Sequence, residues 1–220
     1  MGGRGGDHLK LAAKVPGVEV ATFCDPDETQ LQKRGAQFEQ LTGKRTAFEQ
    51  DLRRVLDDKS IDAVTIATCN HWHALAAIWA SQKYNRLMQG GTQRRSNGYF
   101  RAAIQALREG VIGDVYMARC IHYQLREPLG FKTPEPPPPT LKWDLWVGPG
   151  PMQPFHRNLV HYSWHWFWDF GNGELANNGI HYIDVARWGL NRGLPSRIHS
   201  TGGRFGYKDQ ADSQYAIDHL

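Results

Sequence analysis

The chain has 220 residues, of which 40% are hydrophobic and 22% are charged, with a formal net charge of +4. This composition is typical of a globular protein and excludes a disordered, collagen-like or disulfide-scaffold chain, and no apolar run reaches the length of about 18 residues that a membrane span needs. The basic residues are scattered along the chain, which argues against a nucleic-acid partner.

Up to about residue 110, short β-branched runs alternate with helical patterns, which is typical of βαβ units. The predicted strands are 18–24, 61–67 and 86–89. The predicted helices cover 7–14, the segment from Asp25-Pro26-Asp27 to about Leu41, 48–56, 72–82 and 100–109. Gly110 is expected to end the last of these helices as its C′ residue.

The second half of the chain has a different pattern. Its predicted strands are 115–124, 197–201 and 214–217, and its main predicted helix is 174–190. Residues 134–139 contain five prolines and predict a stiff connector. We therefore expect an α/β domain over 1–110, followed by an α+β domain over 111–220.

A glycine cluster begins the chain and is followed by an acid. A dinucleotide fingerprint needs glycines at a tight turn before a helix, and Gly2 and Gly5 fit its second and third positions. Asp25 ends the next predicted strand, where a carboxylate accepts from both ribose hydroxyls and disfavours the 2′-phosphate of NADP. The alternative interpretation is that the glycines form a flexible tail.

A second polar segment, 67–73, directly follows a predicted buried strand. The carboxyl end of such a strand lies at the mouth of an open α/β sheet, where ligands bind. The alternative is a helix N-cap with a surface pair of histidines, His71 and His73. The two are only two positions apart, so we expect no metal there.

The cysteines support neither a zinc site nor a disulfide framework. There are three of them, widely spaced and without a C-x-x-C pair. The sequence predicts reduced and mostly buried thiols.

A third candidate site lies on the predicted helix 174–190. Asn177, His181 and Asp184 are spaced i, i+4, i+7 and would share one face. Histidine titrates near neutrality and is suited to proton transfer with a hydroxyl or carbonyl, although a single helix histidine is often structural. The aromatic run 164–168 is suited either to a sugar pocket or, as we favour, to a core or subunit interface.

Together these stretches resemble the glucose–fructose oxidoreductase/inositol 2-dehydrogenase (Gfo/Idh/MocA) family. The resemblance rests on GGRG (2–5), Cys24-Asp25, IDAVTIAT (61–68) with His73, GTQRRS (91–96), WVGPGP (146–151) and WHWFWDFGNGELANNGIHYIDVARWGL (164–190). It implies an incomplete Rossmann-type parallel sheet over 1–110 and a partial C-terminal α+β domain with an open sheet over 111–220. The compartment stays open: cytoplasmic is the default expectation, and an export signal upstream of Met1 is not excluded.

The resemblance further implies an oxidoreductase that uses NAD, or less readily NADP, on a hydroxyl of a sugar, cyclitol or related polyol, and that assembles as a homo-oligomer if folded. The implied cofactor-binding residues are Gly2, Gly3, Arg4, Gly5, Asp25, Thr68 and His73. The implied catalytic residues are His181, its helical partner Asp184, and Asn177.

The sequence also departs from the family pattern. It contains no Glu-Lys-Pro motif, whose lysine is the family's usual partner in proton transfer, and Asn177 stands where the family usually has an aspartate. The first strand of the family would precede Met1, and most of the C-terminal sheet would follow Leu220. We therefore expect a truncated and internally deleted chain with impaired catalysis. The alternative is a non-catalytic saccharide- or partner-binding protein derived from that family.

Overall fold

The computed structural model describes residues 2–83, 89–121, 129–197, 199 and 201. The chain divides into two compact units. Unit 1 comprises Met1–Met88, Phe131–Trp164 and Asp169–Gly171, and unit 2 comprises Gln89–Gly130, His165–Trp168 and Asn172–Leu220. None of the helices within the described ranges has the length and apolar character that crossing a membrane requires.

Unit 1 contains a parallel two-stranded sheet. Strand β1 (Thr22–Cys24) pairs with β2 (Ala47–Glu49), with Phe23 opposite Phe48. The N–H of Asp25 donates to the carbonyl of Glu49 at 3.1 Å and so continues the ladder by one residue. The connection between the two strands is a helix, as parallel pairing requires.

The described residues of unit 1 form four helices before its proline-rich segment. They are α1 (Gly3–Ala12), α2 (Glu28–Thr42), α3 (Leu52–Asp57) and α4 (Asn70–Ile78), and the last continues into a π-helical segment, Trp79–Lys83. The side chains that close the core between α1, α2 and β1 are all less than 5% exposed: Leu9, Phe23, Leu31 and Phe38. A further short helix, α6 (Trp143–Val147), follows the prolines, and Ser163–Trp166 forms a 3₁₀ turn.

The ends of α2 follow from its sequence. The carboxylate of Asp27 accepts from the backbone N–H of Thr29 at 2.9 Å, which is the N-cap geometry. At the other end, Gly43 has φ 70°, a left-handed conformation in which a glycine has no Cβ penalty. Local capping therefore fixes where this helix begins and ends.

The described part of unit 2 is built around two helices, α5 (Gly98–Arg108) and α7 (Ile180–Leu190). Asn97 caps α5 by accepting from the N–H of Tyr99 at 2.9 Å. Gly189 of α7 faces α5 so closely that a Cβ there would lie 3.6 Å from Ile104 and from Leu107. A 3₁₀ turn, Gln93–Ser96, precedes α5, and a π-helical segment, Leu175–Gly179, leads into α7.

The α/β class is confirmed, and the predicted helices 28–41, 100–109 and 174–190 are present with shifts of a few residues. The first predicted strand is shorter than expected, since only Thr22–Cys24 is paired. Segment 48–56 is divided between β2 and α3 rather than forming one helix.

Two strand predictions are wrong for the part of the chain that is described. Residues 61–67 and 115–121 run without regular secondary structure. Their apolar patterns suit a strand, but a strand also needs a neighbour on which to form its ladder, and the described sheet contains only β1 and β2. The predicted strands 86–89 and 214–217 fall largely or wholly outside the described residues, and the domain division at residue 110 remains a prediction.

Candidate functional site

The glycine cluster begins helix α1 in unit 1. Gly2 is the N-cap and offers no side chain to the first turn, and no acidic residue lies in that turn. A Cβ on Gly2 or Gly3 would meet nothing within 4 Å. The helix N-terminus therefore combines open space with the positive end of a ten-residue helix dipole, which favours an anion.

Arg34 of α2 anchors this helix start. Its Nη2 donates to the carbonyl of Gly2 at 2.8 Å, and its Nη1 donates to Oε1 of Gln37 at 2.7 Å. A Cβ on Gly6 would lie 2.7 Å from the Arg34 guanidinium, so a side chain at this position would displace that guanidinium. Arg4, in contrast, is exposed and pairs with Asp7 at 3.4 Å.

Asp25 follows β1 as predicted and is 9% exposed. Its Oδ1 accepts from the N–H of Asp27 at 2.9 Å, which shapes the turn into α2. The neighbouring Asp27 carboxylate caps α2 and also accepts from Nε2 of His161 at 2.8 Å. Burial is the main cause that lowers the pKa of His161, and the Asp27 charge opposes it.

The segment that leads into α4 brings Thr68 and His73 together. Nε2 of His73 donates to the carbonyl of Thr68 at 2.9 Å, and His73 is exposed. The hydroxyl of Thr68 is buried and has no hydrogen-bond partner within the described structure. A buried hydroxyl of this kind is costly to leave unsatisfied, which makes it a candidate ligand contact.

His71 has a structural role. Its Nε2 lies 3.1 Å from the carbonyl of Trp146 and its Nδ1 3.3 Å from the carbonyl of Phe170, and the rings of both residues pack against it. Burial lowers its pKa below the usual value. The neutral ring donates one hydrogen bond, so His71 joins the start of α4 to the WVGPGP segment and is not positioned as a metal ligand.

Among the described residues, no group of three His, Cys, Asp or Glu side chains is arranged to hold a metal ion. The described cysteines are free thiols. Burial raises the pKa of both Cys24 and Cys69 to about 12, whereas Cys120 is exposed. The first two thiols are therefore poor nucleophiles at neutral pH.

In unit 2, His181 and Asp184 meet the 3₁₀ turn Gln93–Ser96, which we call the QRRS turn. Nε2 of Gln93 lies 3.0 Å from Nε2 of His181. Arg95 binds the carboxylate of Asp184 through Nε at 2.9 and 3.1 Å and through Nη2 at 2.8 Å. Asp184, which lies one helical turn after His181, is thus paired with the guanidinium of Arg95. This ion pair joins the QRRS turn to α7.

Cation–π contacts of two arginines further attach the QRRS turn to its neighbouring helices. The guanidinium of Arg94 lies 4.3 Å from the ring centre of Tyr182 and 5.2 Å from that of Phe100. The guanidinium of Arg95 lies 5.1 Å from the ring centre of Trp188. Such contacts contribute about 0.5–1 kcal/mol each at exposed sites, so the QRRS turn is held against both α5 and α7.

Asn177 lies in the π-helical segment, where the spacing differs from the 3.6 residues per turn assumed in the sequence analysis. Its Nδ2 donates to Oε1 of Glu174 at 3.3 Å. The neighbouring Asn178 donates to the other carboxylate oxygen of Glu174 at 2.8 Å. Within these contacts Asn177 acts as a hydrogen-bond donor to a carboxylate.

The aromatic run contributes mainly to packing. Trp166 and Phe167 of unit 2 are 5% and 3% exposed, and Trp164 of unit 1 is 8% exposed. Only Trp168 is largely exposed, at 64%. Burial of three of these rings favours the core interpretation.

The sequence analysis missed the roles of Gln93 and Arg95. Both lie in GTQRRS, a stretch it had singled out without assigning any residue of it to the site. They contact residues 88 and 89 positions away. No local periodicity links residues so far apart, and the motif itself was the only signal.

Comparison with known proteins finds similarity to one family of oxidoreductases. Residues 129–200 match the oxidoreductase family, C-terminal alpha/beta domain, which is the C-terminal domain of the Gfo/Idh/MocA proteins. Over 161 residues the chain is 29% identical to inositol 2-dehydrogenase 1 of Saccharopolyspora erythraea, an alignment that covers 60% of this chain and 46% of that protein. Residues 129–200 of the chain are therefore similar to the C-terminal domain of the Gfo/Idh/MocA oxidoreductases.

Two further similar proteins cover smaller shares of this chain. A glycosyl hydrolase family 109 protein of Shewanella pealeana is 35% identical over 83 residues, which cover 36% of this chain and 18% of that protein. The crystal structure of scyllo-inositol dehydrogenase from Lactobacillus casei with bound cofactor NAD(H) and scyllo-inositol aligns over 52% of this chain and 40% of its own, with a TM-score of 0.42 and 20% identity. The chain spans less than half the length of the curated relatives it matches.

Proposed function

We propose that this chain carries the site of an NAD-dependent oxidoreductase that acts on a hydroxyl of a cyclic polyol or sugar. The observation that carries the proposal is the arrangement of His181, half-buried on α7 with its Nε2 next to the amide of Gln93. A histidine nitrogen that accepts a hydrogen bond holds a lone pair, which is what a general base needs. His181 lies within the segment that matches the family domain, and a relative is named inositol 2-dehydrogenase.

The residues of unit 1 fit the phosphate part of a dinucleotide. The N-terminus of α1 is uncapped by any side chain and has open space at Gly2 and Gly3. The buried hydroxyl of Thr68 has no partner in the described structure. We propose that Gly2, Gly3, Arg4 and Gly5 hold the pyrophosphate, that Asp25 holds the adenosine ribose, and that Thr68 and His73 contact the far end of the cofactor.

Asp25 offers a cofactor less accessible surface than the N-terminus of α1 does. This carboxylate is 9% exposed and already shapes the turn into α2 through the N–H of Asp27. A ribose hydroxyl would reach only its small exposed surface, and a 2′-phosphate would add like charge beside a carboxylate. The proposal therefore favours NAD over NADP.

In the proposed reaction His181 takes the proton of the substrate hydroxyl at Nε2, so that the oxygen becomes a carbonyl oxygen. Arg95 neutralises Asp184, which orients α7 and does not itself accept the proton. The chemistry that NAD supplies when bound is to accept the hydride from the carbon that carries the hydroxyl. Asn177 is a hydrogen-bond donor here and not an acid or base.

The turnover of this chain is expected to be low. No Glu-Lys-Pro motif occurs in the 220 residues, so the lysine that the family uses beside its histidine is missing from them. Loss of one general acid–base group costs about 100- to 10,000-fold in rate. Assembly into homo-oligomers is part of the same proposal, and light scattering of the purified chain tests it.

The test is polyol-dependent formation of NADH by the chain and by two variants. His181→Ala removes the proposed base and is expected to lower turnover about 100- to 10,000-fold while NADH binding is unchanged. His199→Ala is the matched control, because His199 is an exposed histidine of the same unit. Equal turnover by His181→Ala and the parent chain would contradict the proposed role.

A second candidate is a non-catalytic saccharide-binding protein of the same family. The observation that favours it is Asn177, whose amide pairs with Glu174 where the family usually has an acid. This reading expects saturable polyol binding, measured by calorimetry, that is the same with and without NAD. Binding that requires NAD would favour the enzyme instead.

A further inference from the structure

The QRRS turn (Gln93–Ser96) places one uncharged side chain, Gln93, against the candidate base. Its amide nitrogen lies 3.0 Å from Nε2 of His181. An amide N–H₂ only donates, so this contact is a hydrogen bond when Nε2 of His181 is the acceptor and the ring proton is on Nδ1. The identity of residue 93 is therefore linked to which nitrogen of His181 is basic.

The turn is held firmly enough to impose this choice. Arg95 forms a bidentate pair with Asp184, and its guanidinium lies over the ring of Trp188. Bidentate guanidinium–carboxylate pairs fix orientation as well as distance. Since Asp184 lies one turn after His181 on the same helix, this pair fixes the turn and the helix relative to each other at the point where Gln93 and His181 meet.

Arg94, which lies between Gln93 and Arg95, makes a second set of contacts that hold the turn. Arg94 lies over the ring of Tyr182, the residue next to His181, and over the ring of Phe100 at the start of α5. Gln93 is consequently followed by two residues that are each attached to α7. The amide is thus presented to the histidine by a turn anchored on both sides of His181.

We propose that Gln93 is a positioning residue that holds His181 in the Nδ1–H tautomer and keeps the lone pair of Nε2 available for a donor. A substrate hydroxyl then replaces the amide as the donor to Nε2 and passes its proton to the same atom. Arg95 and Asp184 support this arrangement by fixing the turn. The inference deepens the proposed function and rests on it for its meaning, because the tautomer matters to catalysis only if His181 takes a proton.

Nitrogen NMR of the ¹⁵N-histidine-labelled full chain tests this without substrate or cofactor. The spectra are recorded well above the pH at which the ring titrates, and His181→Ala assigns the resonance. The parent chain is expected to show a protonated Nδ1 and an unprotonated Nε2 at His181. A protonated Nε2 in the parent chain would overturn the proposal, since the amide would then be accepting from the ring.

The variant Gln93→Glu is expected to reverse the tautomer of His181. A carboxylate only accepts, so the ring proton is expected to move to Nε2 in this variant. Gln89→Glu is the matched control, because it adds the same charge at an exposed position of the same unit and should leave the tautomer unchanged. An unchanged tautomer in Gln93→Glu would also overturn the proposal.

Gln93→Met covers the case in which Gln93→Glu does not fold. It keeps the length of the side chain but removes the donor, and a loss of the single Nδ1–H tautomer is expected. Retention of that tautomer would refute the role of Gln93. Since the tautomer is measured without turnover, failure of the oxidoreductase assay leaves this test intact, and the two ideas fail separately.

Discussion

Gly148→Ala probes the close approach between the WVGPGP segment and α4 in unit 1. Gly148 has φ 51° and ψ −115°, a conformation that side chains rarely adopt. A Cβ there would overlap the six-membered ring of Trp72 and lie 2.7 Å from its Nε1. The Trp72 ring has little freedom to move, because its Nε1 donates to the carbonyl of Trp146 at 3.1 Å.

The expected cost has two parts. The left-handed backbone costs about 1–2 kcal/mol for a residue with a Cβ, and the overlap with Trp72 adds about 1–3 kcal/mol. Gly148→Ala should therefore lower the free energy of unfolding by about 2–5 kcal/mol. Urea denaturation followed by tryptophan fluorescence measures this change through linear extrapolation.

Gly43→Ala separates the two parts. Gly43 has φ 70° but nothing within 4 Å of its Cβ position, so only the backbone cost of about 1–2 kcal/mol applies. In a Trp72→Leu background, the cost of Gly148→Ala should fall to its backbone part, which is a measurable coupling. Equal costs for the two alanine variants in the parent chain would refute the close approach.

Two further predictions concern titratable groups. The pKa values of His71 and His161 are lowered from 6.5 mainly by burial. Just below pH 6.5 the unfolded chain therefore binds more protons than the folded chain, and the free energy of unfolding should decrease as the pH falls. Thermal melts across pH 5–8 measure this decrease, and a flat profile would contradict the burial of these rings. Cys120 is exposed, while the pKa values of Cys24 and Cys69 are raised to about 12. Thiol labelling of the native chain at pH 8 should therefore give one fast equivalent that Cys120→Ser removes, and three fast equivalents would show that the core is open.

The helices were predictable because their signals are local. Asp27 caps α2 and Gly110, with φ 83°, follows α5, both as the sequence indicated. The apolar run 61–67 misled because a nearly continuous apolar run fits a buried strand, whereas strand pairing depends on a partner elsewhere in the chain. Local patterns carry no information about that partner.

In the candidate site, too, local features were predictable and distant partners were not. His181 and Asp184 were singled out from their helical spacing, and the structure gives them partners. Those partners, Gln93 and Arg95, lie 88 and 89 residues earlier and could not be predicted from spacing. His71 was considered as one of a histidine pair, but its packing against Trp146 and Phe170 depends on tertiary contacts that no local motif reports.

The most direct test of the proposed oxidoreductase is titration of the purified, folded chain with NADH, followed by energy transfer from tryptophan to the reduced nicotinamide. The account predicts saturable binding in the micromolar range, about −8 kcal/mol, with weaker binding of NADPH because of the Asp25 carboxylate. Gly3→Asp, which places a negative charge in the first turn of α1, should weaken binding of NADH. Absence of saturable binding by a chain that unfolds cooperatively in urea would contradict a nucleotide site at Gly2–Gly5.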